Sequence, residues 1–125
     1  MNIIETEIEG LFIVEPQVWT DDRGYFFETY QAQRYSEHGI RCQFIQDNEA
    51  FSLKGALRGL HYQLPPYGQA KLVRVISGMV QDVAVDIRPA SPTFGKHVSV
   101  MLSEENKKQF FVPAGFAHGY LTLSE

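Results

Sequence analysis

At 125 residues, the chain is long enough for one packed domain and too short for two. Its 44% hydrophobic and 13% aromatic residues exclude a disordered chain, and its net charge of −4 argues against nucleic acid or an acidic membrane surface as a partner. No apolar stretch approaches the roughly 20 residues that a membrane-spanning helix needs.

Short β-prone runs separated by turn signals fill most of the sequence. The predicted strands cover residues 11–14, 25–27, 42–48, 56–63, 71–76, 80–87, 98–102, 110–112 and 120–123. One predicted helix covers residues 29–38 and is stopped by Gly39. Turns or loops are predicted at residues 21–24, 64–68, 77–79 and 88–92. Many short strands joined in this way predict an antiparallel sandwich or barrel, in a single domain that spans residues 1–125.

The N-terminus and the single cysteine predict a cytoplasmic protein. Residues 1–5 lack the basic start and apolar stretch of a secretory signal. Cys42 has no second cysteine with which to form an internal disulfide, which fits a reducing compartment. Because its neighbours are typical of a strand, we assign Cys42 no catalytic role.

Two histidines lie in glycine-rich, β-prone sequence about half a domain apart. His61 stands in GALRGLHYQ, and His118 stands in PAGFAHG. The second pattern resembles the second motif of the cupins, whose histidine is often a metal ligand. The first cupin motif supplies His-x-His and a glutamate, whereas Gln63 replaces the second histidine here. With two histidines in place of three we predict no metal, and a metal-dependent cupin oxygenase or isomerase is the alternative.

Strand alternation places several polar side chains on shared faces. His61 shares a face with Gln63, and Lys71 shares a face with two valines. Asp82 shares a face with Asp86. A solvated surface is the simpler interpretation of each residue alone, but together they predict one polar interior face. Histidine can accept a proton near neutral pH and lysine can stabilise an oxyanion, so the set predicts removal of a proton from carbon next to a carbonyl.

Seven segments, in order along the chain, carry a resemblance to one family. They are DRGYFFE (22–28), QDN (46–48), LRGLHYQ (57–63), KLVR (71–74), DVAVDIR (82–88), SPTFG (91–95) and PAGFAHG (113–119). In these segments the chain resembles the dTDP-4-dehydrorhamnose 3,5-epimerases, cupin-fold isomerases of the dTDP-L-rhamnose pathway. The resemblance implies an all-β, cupin-type antiparallel β-sandwich or jelly-roll barrel with one short helix. It also implies epimerisation of a dTDP-4-keto-6-deoxyhexose at C3 and C5, without a cofactor.

The resemblance assigns roles to residues of this sequence. His61 would be the base that takes protons from the carbons flanking the C4 ketone, and Lys71 would steady the enolate oxygen. Arg58 and His118 would contact the substrate near the sugar and the diphosphate, and Asp82 would orient Lys71. The nucleotide and diphosphate subsite would comprise Arg23, Phe26, Glu28, Gln46 and Asn48. In the family, N-terminal strands are exchanged across a homodimer, so some of these residues would serve the partner's site.

Three residues of that subsite have simpler interpretations. Phe26 is an apolar residue that a core would accept, and Glu28 fits an ordinary surface position. Arg23 follows two aspartates and fits an ion pair beside a turn, which contributes little stability when it is exposed.

The sequence also departs from the family. The family's general-acid tyrosine, and the aspartate that pairs with the histidine base, lie in a segment for which this sequence has no counterpart. Tyr120 matches a different, usually aromatic position. We therefore expect these 125 residues to be part of a longer natural protein, and the family's C-terminal segment is not among them. A single-site 3- or 5-epimerase, a 3,4-ketoisomerase and a catalytically incomplete dTDP-sugar binding protein are the alternatives.

Overall fold

The structure is a computed structural model that describes residues 1–63 and 68–124. In those residues the chain forms ten strands and one helix, α1 (Ala32–Glu37). The strands are β1 (Asn2–Glu5), β2 (Phe12–Glu15), β3 (Val18–Asp21), β4 (Gly24–Phe27), β5 (Leu57–His61), β6 (Lys71–Arg74), β7 (Met79–Asp86), β8 (His97–Ser103), β9 (Gln109–Val112) and β10 (Phe116–Thr122). No helix in this part of the chain has the length and apolar character needed to cross a bilayer.

Two four-stranded antiparallel sheets carry most of these strands. One sheet has the order β1-β2-β9-β6, and the other has the order β5-β10-β7-β8. Strands β1 and β2, and strands β7 and β8, are consecutive in sequence, whereas the other neighbours in each sheet come from distant parts of it, as in a double-sheet jelly roll. Within the described residues, strands β3 and β4 pair only with each other and form a separate hairpin. The predicted all-β antiparallel sandwich with one short helix is confirmed.

The main core lies between the inner faces of the two sheets. Its buried members are Ile8, Leu11, Ala84, Val100, Leu102, Phe110, Val112 and Phe116. Strand β9 is buried along its whole length, because Phe110 faces this core while Phe111 faces the opposite side of the sheet. Strand β9 therefore contributes side chains to the cores on both faces of the first sheet.

A second core lies on the outer face of the first sheet, under α1. Tyr35 of α1 packs there with Val14, Ile40 and Phe111. The Tyr35 hydroxyl donates a hydrogen bond to Oε1 of Gln109, at 2.7 Å. Burial raises the pKa of Tyr35 to about 12, so this hydroxyl remains a donor throughout the physiological pH range.

The predicted elements differ from the structure in several places, and β10 begins at Phe116, four residues before the predicted strand. The predicted strand over residues 42–48 is wrong, because residues 40–53 join no sheet and Cys42 and Phe44 instead pack against the second core. Strands β1 and β3 lie where the sequence predicted none. The helix is shorter than predicted, since only Ala32–Glu37 is helical. Residues 64–67 of the predicted loop at 64–68 lie outside the described residues.

A buried carboxylate lies at one end of the second sheet, where β7 ends. Asp86, at the end of β7, is fully buried and accepts a hydrogen bond from the backbone and two from the guanidinium of Arg88. The hydroxyls of Ser91 and Thr93 donate to the same carboxylate. Arg88 also stacks on the ring of Phe116, with its guanidinium carbon 4.8 Å from the ring centroid. The end of the segment DVAVDIR, at Asp86 and Arg88, therefore meets the segment SPTFG in one cluster.

Replacing Asp86 by asparagine should lower the free energy of unfolding by about 2 kcal/mol at pH 7, because charged hydrogen bonds are lost. The Arg88 guanidinium holds the pKa of Asp86 well below its ordinary value, so this stabilisation exists above the unfolded-state pKa and is lost as pH falls through the acid range. Urea unfolding of both proteins at pH 7 and pH 3 measures the effect. Asp47→Asn, at an exposed position, is the control. A difference that is as large at pH 3 as at pH 7 would contradict the ionic role.

Candidate active site

The two histidines are direct neighbours across the β5–β10 pair. His61 of β5 and His118 of β10 are opposite each other in the antiparallel register. Residues that are directly opposite share one face of a sheet. On its other side His118 is opposite Ala84 of the main core, so both histidines belong to the inner face of the second sheet.

A bulge in β5 brings a third polar residue to the same face. Tyr120 is opposite Arg58, so Gly59 and Leu60 together oppose Gly119. Residues three apart on a regular strand point to opposite faces. Because of the bulge, Arg58 and His61 lie on the same face instead.

Two glycines permit this bulge. Gly59 has a φ of +116°, and a Cβ on it would lie 2.6 Å from the Cα of Gly119. A Cβ on Gly119 would lie 2.5 Å from the carbonyl oxygen of Arg58. Since real Cβ atoms do not approach backbone atoms so closely, the two strands can pair in this register only with glycine at both positions.

Asp82 forms a buried pair with His118. The carboxylate is fully buried, and its Oδ1 accepts a hydrogen bond from Nε2 of His118 at 2.7 Å. This bond places a proton on Nε2 and leaves Nδ1 of His118 for another partner. Oδ2 of Asp82 is buried and has no hydrogen-bond partner among the residues that the structure describes. Asp82 therefore has one carboxylate oxygen inside the site that can accept a further hydrogen bond.

The prediction that Asp82 orients Lys71 is not supported by these contacts. Among the described residues, Lys71 has no hydrogen bond or ion pair with Asp82, whose side chain is bonded to His118. The two residues lie on different sheets, so the prediction of one polar interior face that carries them both is wrong, although each lies on the inner face of its own sheet.

Lys71 projects from the inner face of the first sheet. It opens β6, opposite Val112 of β9. Val73, the next residue on that face, packs against the main core, while Leu72 packs against the second core on the other side. The predicted sharing of a face by Lys71 and Val73 is confirmed. Lys71 is half-buried and faces the layer that carries His61 and His118.

Arg58 is held by a segment that precedes it. Its Nε donates to the hydroxyl of Ser52 at 2.8 Å, and its Nη2 donates to the carbonyl oxygen of Phe51 at 3.2 Å. The Ser52 hydroxyl is also 3.0 Å from the hydroxyl of Tyr120. Sequence reasoning did not identify Ser52, because nothing in its local pattern distinguishes it from a loop serine.

The hairpin carries three predicted subsite residues away from the histidines. Phe26 is 71% exposed on β4, so its interpretation as a core residue is wrong. The Arg23 guanidinium forms an ion pair with Asp21 beside the turn, and 87% of its side chain is exposed. Glu28 accepts two hydrogen bonds from Arg34 of α1, which lower the pKa of Glu28. In the described part of the chain, no hydrogen bond or ion pair joins these residues to His61, Lys71 or His118.

Gln46 and Asn48 lie in the irregular segment between α1 and β5. Both are exposed, and the Gln46 amide donates to Oδ1 of Asn48 at 3.3 Å. The structure therefore places His61, His118, Asp82 and Arg58 on the inner face of one sheet and Lys71 on the inner face of the other. It leaves the five predicted nucleotide-subsite residues outside that group.

The donor set does not fit a metal ion. Within residues 1–63 and 68–124, no group of three or more histidine, cysteine, aspartate or glutamate side chains could hold one. Asp82 lies beside His118, but its carboxylate binds the ring nitrogen itself.

Comparison with known proteins identifies the family. The sequence profile described as dTDP-4-dehydrorhamnose 3,5-epimerase matches residues 5–125. The chain belongs to this family. A dTDP-4-dehydrorhamnose 3,5-epimerase of Shigella flexneri is 56% identical over 126 residues, which are 100% of this chain and 70% of that relative. The resemblance that the seven segments carried is confirmed, and the family's members are isomerases.

Solved structures of epimerases share the fold. The Legionella pneumophila dTDP-6-deoxy-D-glucose-3,5-epimerase, in complex with dTDP-4-keto-L-rhamnose, matches with a TM-score of 0.94 and 57% identity, over 98% of this chain and 65% of that one. A 3'-monoepimerase of Streptomyces bikiniensis, in complex with dTDP-quinovose, matches with a TM-score of 0.89 and 36% identity, over 96% of this chain and 61% of that one. The cupin-type fold is confirmed, and the chain spans about two thirds of the length of these relatives.

Proposed function

We propose that this chain epimerises a dTDP-4-keto-6-deoxyhexose at C3 and C5, converting dTDP-4-dehydro-6-deoxy-D-glucose to dTDP-4-dehydro-L-rhamnose. The observation that carries the proposal is that His61 and His118 are in direct register with each other, while Lys71 lies on the inner face of the other sheet. The family match supports the substrate class, because the family model and the Shigella flexneri relative are both named for this reaction.

In this mechanism His61 is the base. Protons on C3 and C5 are weakly acidic because the adjacent C4 ketone can accept the electron pair as an enolate. His61 suits the role because it is exposed at the end of β5 and no hydrogen bond to a described residue engages its ring. When it removes a proton, negative charge develops on the C4 oxygen. A cation placed beside that oxygen lowers the barrier most.

Lys71 is the cation that we assign to the C4 oxygen. It is half-buried on the inner face of β6, and among the described residues it has no carboxylate partner that would neutralise it. His118 has Nε2 bonded to Asp82 and Nδ1 available, so it would contact the substrate beside His61. The free Oδ2 of Asp82 would accept a hydrogen bond from a bound group or water.

Epimerisation also needs an acid that returns a proton from the opposite face of the sugar. We do not assign this role to Tyr120, because its side chain shares the inner face of β10 with His118 and its hydroxyl is bonded to Ser52. The mechanism proposed for this chain therefore covers proton removal and enolate stabilisation.

Proton NMR of dTDP-4-keto-6-deoxy-D-glucose with this chain in deuterium oxide tests the function. We expect the H3 and H5 signals to disappear as deuterium enters both carbons. Loss of only one signal would indicate a single-site epimerase, which the similarity to a 3'-monoepimerase keeps as the second candidate. Binding of dTDP without exchange would indicate a sugar-nucleotide binding protein and would overturn the proposal. Elemental analysis should find less than about one tenth equivalent of metal.

We further propose that the chain works as a homodimer in the cytoplasm, with the hairpin serving the partner's site. The hairpin packs as a separate sheet, and it exposes Trp19 and Phe26, which are opposite each other in register. Ile45, Phe51 and Leu57 are also exposed. Exposed apolar side chains in such numbers are typical of an interaction surface. Exchange of N-terminal strands would cover them and bring the nucleotide subsite to the histidines.

Replacing Arg23 by alanine should weaken dTDP binding about tenfold and leave the exchange rate at saturating substrate unchanged, because a charged contact to the diphosphate is lost. Isothermal titration and the NMR assay measure the two effects. Asp21→Asn is the matched control, since it removes the ion-pair partner of Arg23 but keeps the guanidinium. Equal losses for both variants would mean that Arg23 acts only in the turn.

A further inference from the structure

We propose that Ser52 and Tyr120 are positioning residues that fix the guanidinium of Arg58 for an anionic group of the ligand. The proposal rests on the proposed function in one respect, namely that Arg58 contacts the nucleotide sugar. Its structural basis is a chain of three side chains from separate parts of the sequence. Arg58 is on β5, Tyr120 is opposite it on β10, and Ser52 lies in the irregular segment before β5.

The hydrogen bonds engage one edge of the guanidinium. Arginine has five N–H donors in a planar fork. The Nε donor goes to Ser52 and one Nη2 donor goes to the carbonyl oxygen of Phe51, so both bonds lie on the same side edge. Both hydrogens on Nη1 and one on Nη2 remain. The terminal edge of the fork is thus free to bind two oxygens of an anion together.

Tyr120 acts on Arg58 through Ser52. Its hydroxyl is 3.0 Å from the Ser52 hydroxyl, and both residues are partly buried. Ser52 accepts a hydrogen bond from Arg58, so its own proton can go to Tyr120, or Tyr120 can donate to it. In either case the tyrosine fixes the orientation of the serine oxygen that holds Nε.

The backbone holds the rest of the segment in place. Gly55 donates to the carbonyl oxygen of Thr122 at 2.8 Å, and Thr122 donates to that of Ala56 at 3.0 Å. Because these bonds persist without any side-chain hydroxyl, loss of the Tyr120 hydroxyl should loosen the serine oxygen that holds the guanidinium without unfolding the segment. A freed arginine regains much rotamer entropy, which ligand binding must then remove.

Binding of dTDP to the 125-residue chain tests the proposal. Tyr120→Phe should lower the affinity about fivefold and Ser52→Ala by a similar factor, as expected for loss of one hydrogen bond. Ser52→Thr, which keeps the hydroxyl, should restore it. In the Arg58→Ala background, Tyr120→Phe should have no further effect, because the side chain that it positions is gone. An equal loss in both backgrounds would overturn the proposal. Tyr62→Phe, which removes an exposed hydroxyl nearby, is the control.

The ligand-free protein gives an independent readout. In proton–nitrogen NMR, the Arg58 Nε–H signal should exchange slowly with solvent in the wild type and rapidly in Ser52→Ala. Failure of the wild type to bind dTDP would reject the proposed function, while slow exchange of this signal would still support the positioning of Arg58. Exchange that is equally fast in both proteins would reject the positioning itself.

Discussion

Replacing His61 by alanine should abolish deuterium exchange at C3 and C5 and leave the affinity for dTDP within a few-fold of the wild type. The exchange step needs a base next to the carbon, and general-base catalysis contributes roughly 10²- to 10⁴-fold. The dTDP part of the ligand does not touch that position in the proposed binding mode. His61 lies at the end of an exposed edge strand, so truncation of its side chain leaves the main core intact.

Two variants separate this role from a general loss of structure. His97→Ala removes an exposed histidine on β8 and should leave both exchange and affinity unchanged. His61→Gln keeps a hydrogen-bonding side chain that cannot act as a base near neutral pH, and it should be as inactive as His61→Ala. Exchange retained by either His61 variant would remove the residue from the base role. Affinity lost together with exchange would indicate that His61 binds the ligand instead.

The local sequence pattern correctly predicted strands whose inner faces pack in the main core. The alternation of Ala84 with its neighbours placed the inner face of β7 correctly, and Gly39 correctly marked the end of the helical segment. The pattern failed at residues 42–48, which are as β-prone as a true strand. Those residues find their apolar contacts under α1, through Cys42 and Phe44, so they need no ladder partner. β-propensity describes the local preference of a segment and does not determine whether another strand pairs with it.

Cross-strand register was the part of the site that the sequence did not predict. Alternation placed Asp82 on an interior face, but only the β7–β10 register puts it beside His118, a residue 36 positions away. Likewise, a spacing of three predicts opposite faces for Arg58 and His61, and the bulge at Gly59 reverses that expectation. Glycines in a strand signal a bulge or a close approach, yet they do not say which strand approaches.

Replacing Lys71 by alanine should slow exchange at C3 and C5 by about 10²- to 10³-fold, which corresponds to roughly 3 kcal/mol of transition-state stabilisation. The charge on the C4 oxygen exists only after proton removal, so its cation acts on the transition state more than on the bound ketone. The half-buried position of Lys71 on the inner face strengthens this effect, because interactions between charges grow as water is excluded. Affinity for dTDP should change by less than about threefold.

The variants at this position distinguish an electrostatic role from a packing role. Lys71→Met keeps the length of the side chain and its packing beside Val112, and it should be as slow as Lys71→Ala. Lys71→Arg keeps the charge and should retain part of the rate, because its planar fork does not place a donor at the same point. Lys96→Ala, at an exposed position, is the control. If Lys71→Met exchanged as fast as the wild type, the enolate would have to be stabilised by another group, and His118, which is held by Asp82, would be the candidate.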